Sequence, residues 1–161
     1  MSNNHNAAMR PLDATDRRIL DLLQSDALLT NKEVAAQLNM TTTPVFERIK
    51  RMEEDGYIRK YVALADKDKL GLSLLAFCNV SLKEHARDAL LNFEDQVRSL
   101  PEVIECYHIA GLFDYLLKVV VPDMAAYQHF IVNKLAAFDN IGNVQSMFVM
   151  TEIKYSTRLP L

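Results

Sequence analysis

The spacing of apolar positions divides the chain into a helical stretch followed by one in which strand and helix periods alternate. Between Leu12 and Ser25, Ile19, Leu20, Leu22 and Leu23 form one stripe of a helix. Asp13 stands where an N-cap belongs, and Asp16 places a second acid in the first turn, where the helix dipole favours it. Thr30-Asn31-Lys32-Glu33 has the form of a capping box, with Leu29 and Val34 at the two positions of a hydrophobic staple. Val34, Ala35 and Leu38 then predict the inner face of a short second helix that stops near Asn39 and Met40. A third helix is expected with Thr43 as its cap, Pro44 in its first position and Gly56 at its end. Its inner stripe is Val45, Ile49 and Met52.

From Leu74 the periods change. Leu74–Leu82, Val103–Ala110, Phe113–Val121 and Val144–Tyr155 read as strands, and Ala86–Leu100 as a helix with Leu90, Phe93, Val97 and Leu100 inward. A turn is expected at Gly111. Asp123 caps a second helix with Tyr127, Phe130, Ile131 and Leu135 inward. This order is β-α-β-β-α-β, the ferredoxin-like arrangement. The expected fold is α+β: a disordered tail over 1–11, a winged helix-turn-helix over 12–64, a polar hinge over 65–72 and a ferredoxin-like domain over 73–161. Two helices cover one face of a four-stranded sheet, yet Phe113–Val121 and much of Leu74–Val80 read as apolar on both faces. The uncovered face therefore predicts a dimer packed sheet to sheet.

A short helix, a tight turn and a second helix with a polar outer face is the shape that enters a major groove. That outer face carries Thr43, Glu47, Lys50 and Glu54, flanked by Phe46 and Arg51. Thr42, Thr43 and Phe46 are expected near base edges, where threonine bonds either base type and Phe46 packs on thymine methyls. Lys50 and Arg51 suit a guanine edge or a phosphate, and Glu47 suits a cytosine amine or the rejection of wrong sites. Tyr57–Leu64 is expected to form the wing, with Arg59 and Lys60 toward the phosphate backbone. The bland alternative is a three-helix packing unit whose charges are solvated surface. Net charge is −3, which gives no global attraction to nucleic acid, so contacts must come from local basic patches.

Composition narrows the remaining chemistry. The two cysteines, Cys78 and Cys106, lie in apolar runs and are expected to be buried and reduced. In a ferredoxin-like order a third strand separates theirs, about 9.6 Å across, beyond disulfide reach. The four histidines have no zinc spacing, so no metal and no cofactor are predicted. No apolar run reaches the length of a membrane span and no secretory leader is evident. A cytoplasmic protein without membrane contact is expected.

Three segments carry a family resemblance: Leu12-Asp13-Ala14-Thr15-Asp16-Arg17-Arg18-Ile19-Leu20; Thr42-Thr43-Pro44 through Arg48-Ile49-Lys50-Arg51-Met52-Glu53 to Gly56; and Ala110-Gly111-Leu112-Phe113-Asp114-Tyr115. In order and separation they resemble the Lrp/AsnC, or feast/famine, regulators, as does the ending Glu152-Ile153-Lys154-Tyr155-Ser156-Thr157. The resemblance runs from about Leu12 to the end of the chain. It implies a transcription regulator that binds double-stranded promoter DNA and responds to an amino acid or related small metabolite. It also implies homodimers that assemble further, often to octamers, and an effector site at the turn formed by Gly111, Leu112, Phe113 and Asp114. A glycine there admits a ligand to backbone N–H groups that suit a carboxylate, and Asp114 suits an α-ammonium; glycine and aspartate are equally at home in an ordinary hairpin turn. Leu112 stands where relatives often carry a polar residue and Glu47 where they frequently carry a basic one, so neither ligand choice nor operator sequence transfers.

Other functions make different demands. An enzyme would have to be built on Tyr107, His108, Asp114 and His129, among which no nucleophile–base pair or metal spacing stands out; no catalytic residue is predicted. An architectural protein that wraps DNA through several readers overlaps with the regulator reading, and the two separate by their preference for specific over non-specific DNA. A sensor acting only on protein partners would show no salt-dependent DNA binding.

Overall fold

The computed structural model describes residues 10–161, so residues 1–9 of the expected tail lie outside the described residues. Contacts divide the chain into two units, one made of residues up to Leu64 together with Lys154–Leu161, the other of Ala65–Ile153. The second domain was expected to run to Leu161; its last residues pack instead with the first unit.

The first unit holds three helices, α1 (Ala14–Ser25), α2 (Asn31–Leu38) and α3 (Thr42–Glu54). Asp13 caps α1 and Thr30 caps α2, each through a complete capping box. The inward stripes meet as expected: Ile19 and Leu23, Val34 and Leu38, and Val45, Ile49 and Met52 form one core. The third helix begins earlier than predicted, with Thr41 at the cap position and no side-chain cap bond, which leaves Pro44 as its third residue. Proline is tolerated there because first-turn N–H groups have no intrahelical partner. The helix stops before Gly56, at φ +78°, a left-handed conformation that favours glycine. The wing expected over 57–64 forms no strand. A ladder needs a partner, and none pairs with this segment among the described residues.

The second unit is a four-stranded antiparallel sheet of order β2-β3-β1-β4. Its strands are β1 (Leu74–Leu82), β2 (Val103–His108), β3 (Tyr115–Val121) and β4 (Ile141–Phe148). The helices are α4 (Arg87–Arg98) and α5 (Met124–Phe130), the latter continued by a wide π turn over Ile131–Leu135. One sheet face, built on Ala76, Cys78, Val80, Leu117, Val119 and Val121, buries Phe93, Val97, Phe130 and Leu135 of the helical layer. The polar stretch 65–72, read as a hinge, folds into a turn in which the Asp66 carboxylate accepts the N–H groups of Asp68 and Lys69. No helix among the described residues is long and apolar enough to cross a membrane.

Three details differ from the sequence reading. The last strand spans Ile141–Phe148 rather than Val144–Tyr155, because its partner β1 starts at Leu74 and the ladder reaches only Ala76 opposite Phe148. Cys78 and Cys106 both stand opposite Leu117 on either side of β3 and are free thiols, but Cys106 is exposed. It lies on an edge strand, bordering a cleft that α4 leaves uncovered. The open sheet face carries Phe77, Leu116, Val120 and Met147, yet it is not wholly apolar. Lys118 sits in its middle, its Nζ 2.9 Å from Glu105 Oε1, whose other oxygen accepts the Tyr107 hydroxyl at 2.8 Å.

Candidate DNA interface and effector turn

The outer face of α3 depends on how its inner side is anchored. Asp13 and Asp16 are spaced i,i+3 at the start of α1, and Arg48 and Arg51 have the same spacing on α3. Arg48 Nη1 donates to Asp13 Oδ2 and to Asp16 Oδ1, each at 2.6 Å, and Arg51 Nη2 donates to Asp16 Oδ2 at 2.5 Å. The Asp13 N–H also donates to Asp16 Oδ2 and the Asp16 N–H to Asp13 Oδ1. Asp16 is 1% exposed, the one buried charged residue of the described chain. Every carboxylate oxygen of the pair thus has a donor, the condition under which buried charge is tolerated. The backbone N–H of Asp16, then the Arg48 guanidinium, hold the Asp13 carboxyl down to about 2.

This arrangement sorts the residues predicted to touch DNA. Thr42, Thr43, Phe46, Glu47 and Lys50 are exposed on α3, and Arg59 is exposed in the irregular segment that follows. Arg51, also expected to touch DNA, has its guanidinium bound to Asp16. Lys50 Nζ lies 3.7 Å from Glu54 Oε1, both side chains well exposed; such a pair is weak, screened by salt and readily exchanged for a phosphate. Phe46 is 50% exposed and borders a shallow cleft with Leu29, Ile49 and Tyr61. One side of its ring is therefore supported by the protein and the other is open. The positioning role of Asp13, Asp16 and Arg48 went unread in the sequence, although the matched i,i+3 spacing on two helices was its signal.

In the second unit the turn between β2 and β3 is open. Gly111 has φ +146° with nothing within 4 Å of where a Cβ would sit, and Leu112 is 87% exposed. Phe113 is half-buried. The N–H groups of residues 110–113 make no hydrogen bond among the described residues. Asp114, by contrast, is engaged. Its Oδ2 accepts the Leu82 N–H at 2.7 Å, its Oδ1 lies 2.9 Å from His85 Nε2, and its own N–H donates to the Val80 carbonyl. The Leu82 N–H, helped by His85, holds its carboxyl below the usual carboxylate range. Asp114 thus ties the turn to the end of β1, and only its remaining lone pairs are open to a ligand.

Two of the residues on which an enzyme would have to be built, Tyr107 and His108, lie on opposite faces of the sheet. His108 stacks on Tyr115 at a centroid distance of 4.7 Å on the helical face of the sheet, whereas the neighbouring Tyr107 bonds Glu105 on the open face. Among the described residues no cluster of His, Cys, Asp and Glu has metal-binding geometry.

Comparison with known proteins agrees with both halves of the chain. Residues 12–59 match the family described as winged helix-turn-helix DNA-binding, and residues 75–159 match the Lrp/AsnC ligand binding domain. The chain is 39% identical over 150 residues to the DNA-binding transcriptional activator DecR of Escherichia coli, covering 93% of this chain and 99% of DecR. It is 38% identical to the leucine-responsive regulatory protein of Escherichia coli, covering 93% and 92% of the two chains. Among solved structures, a transcriptional regulator of Neisseria meningitidis in complex with L-Met superposes with a TM-score of 0.89 at 39% identity, over 93% of this chain and 97% of that one.

The depressed Asp13 carboxyl has a consequence for acid stability. A carboxylate whose pKa is lower in the folded chain stabilises it fully above the ordinary value, and this contribution is lost as pH falls. Stability of the first unit should decline between the ordinary value of 3.8 and about 2, and Asp13→Asn should flatten that slope. Acid titration followed by helical circular dichroism measures it; an unchanged slope in the variant would exclude Asp13 as the source.

Proposed function

The chain belongs to the Lrp/AsnC family of transcriptional regulators, and we propose that it reads promoter DNA with the outer face of α3 and adjusts that reading to an amino acid bound at the Gly111–Asp114 turn. The observation that carries the DNA half is a helix with exposed Thr42, Thr43, Phe46, Glu47 and Lys50 whose inner arginines are locked to α1. Side chains on a rigid element are held well enough to read base edges. Arg59, exposed in the segment after α3, adds a cation for the phosphate backbone.

The effector half rests on free N–H groups at an exposed glycine turn, a chemistry that suits the carboxylate of an amino acid. The remaining lone pairs of Asp114 suit its ammonium. One relative is named for its response to leucine and another was solved with L-Met, both amino acids with apolar side chains. Leu112 supplies apolar surface of matching character beside the turn. We further propose that the open sheet face packs on a second copy, with Lys118 and Glu105 fixing its register, and that dimers assemble to a higher oligomer, an octamer by family resemblance.

Fluorescence anisotropy with DNA from upstream of the chain's own gene, against scrambled DNA across a salt series, tests the first half. Tight, salt-sensitive binding that favours the native fragment is expected; equal binding to both would indicate an architectural role. Lys50→Ala should weaken binding by about 1–3 kcal/mol without changing the melting temperature, whereas Arg51→Ala should lower affinity and melting temperature together. If Arg51→Ala weakens binding with no loss of stability, its guanidinium contacts DNA directly. For the second half, L-methionine and L-leucine should shift the anisotropy curve of the native chain, and Gly111→Trp should abolish the shift with folding intact. A surviving response would place the pocket elsewhere. Light scattering at micromolar concentration should give a dimer or larger species, and a monomer would refute the sheet-to-sheet reading.

A further inference from the structure

A second group of basic residues in the helical unit gathers away from α3. The helical period places Arg17, Arg18 and Asp21 on the face of α1 opposite buried Asp16, Ile19 and Leu23. The segment Lys154–Leu161, which belongs to the same unit, packs on that face. Arg17, Arg18, Lys154 and Arg158 together border an open cleft of about 650 Å³. Asp21 is the one acidic side chain among the described residues that line it.

The wall of the cleft is held from within the unit. Arg158 forms a fork on Asp21, with Nε 3.0 Å from Oδ1 and Nη2 2.6 Å from Oδ2. Gln24 Nε2 donates to the Leu159 carbonyl at 3.1 Å while its Oε1 accepts the Leu159 N–H at 2.7 Å. These bonds use up the acids that would otherwise neutralise α1. Arg17 has an aspartate at each helical spacing, Asp13 four residues before it and Asp21 four residues after, the spacing that pairs Lys50 with Glu54. Asp13 is taken by Arg48 and Asp21 by Arg158. Among the described residues, the exposed side chains of Arg17, Arg18 and Lys154 therefore form no ion pair and no hydrogen bond.

We propose that this cleft is a second DNA contact, which takes the phosphate backbone outside the stretch read by α3. Three unpaired cations around one cleft repel each other until an anion joins them, and guanidinium groups match phosphate oxygens. The three are spread over two segments of chain, α1 and the residues after Ile153, which suits successive phosphates of a polyanion better than one small anion. Asp16, on the other side of α1, meets Arg48 and Arg51 of α3, so the cleft opens away from α3 and the phosphates that reach it belong to duplex beyond that helix. A contact of this kind adds affinity without sequence preference. The inference rests on the reading of the chain as a DNA-binding regulator.

Anisotropy of the full chain over a salt series, joined to hydroxyl-radical footprinting of the upstream fragment, tests it. The combined Arg17→Gln, Arg18→Gln, Lys154→Gln variant removes only side chains without partners, so it should melt as the native chain does. Its affinity should fall by the same factor on upstream and scrambled DNA. The slope of log affinity against log salt should become shallower by about 0.9 for each of the three cations removed from an engaged copy. At saturating protein, the variant should lose protected backbone positions that Lys50→Ala retains. A slope equal to that of the native chain, or a footprint loss that coincides with that of Lys50→Ala, would overturn the second contact. An unequal loss on the two DNAs would also overturn it, since these side chains would then touch base edges. Should millimolar inorganic phosphate raise the melting temperature of the native chain but not of the variant, with equal salt slopes, the cleft is a small-anion site and the DNA assignment falls. A native chain that binds neither DNA at any salt would discard the regulator reading and the cleft with it, whereas native binding with a slope that the variant shares discards the cleft alone.

Discussion

The position of α3 depends on one buried carboxylate. Asp16 is sealed from water between α1 and α3, where two guanidinium groups and a backbone N–H meet its oxygens. Stripping one partner from such a pair costs about 3–5 kcal/mol, whereas replacing the whole group by apolar side chains is often neutral. The network thus contributes less to net stability than to singling out one arrangement. Helices packed by aliphatic contacts alone can slide or rotate by a residue at little cost. Helices joined through two arginines on two aspartates, at matched i,i+3 spacing, have one register in which every oxygen is satisfied. For a helix proposed to present Thr43, Glu47 and Lys50 to base edges, that definition matters more than a kcal/mol of packing.

The network also explains which features were legible in the sequence. The caps at Asp13 and Thr30 were read correctly because a capping box is complete within four residues. The inner stripes of all three helices, the strand order class and the capped start at Asp123 were legible for the same reason, since local period and local chemistry decide them. The start of α3 was misjudged by two residues because Thr43-Pro44 matches one local rule while a proline anywhere in the first turn satisfies the physics equally well. The strand expected over 57–64 and the tail of the last strand were misread for a different reason. A strand is a property of two segments, and the residue pattern of one does not reveal where its partner ends.

Arg51 and Asp114 share a lesson about charge. Each was singled out for a ligand because of its type and its position beside a polar face or turn, and each spends its charge inside the protein. Arg51 binds Asp16, and Asp114 binds the Leu82 N–H and His85. Charged side chains near an interface are the ones best placed to brace it, so residue type alone does not separate a brace from a contact. Partners do, and the partner of Arg51 lies 35 residues away. Lys118 shows the same effect on the open sheet face, where it pairs with Glu105 of the neighbouring strand.

These commitments limit what one copy of the helical unit can achieve. With Arg48 and Arg51 engaged inward, the outer face of α3 presents Lys50 against Glu47 and Glu54, and the whole chain carries a net charge of −3. Phosphate attraction scales with the number of cations brought to the backbone, so the α3 face of a single copy gains little from it. Weak readers become strong ones when they are joined, since each bound copy raises the effective concentration of the next without any new contact. The second copy proposed on the open sheet face answers a requirement set by the charges on α3: association there would supply the multiplicity from which DNA affinity comes.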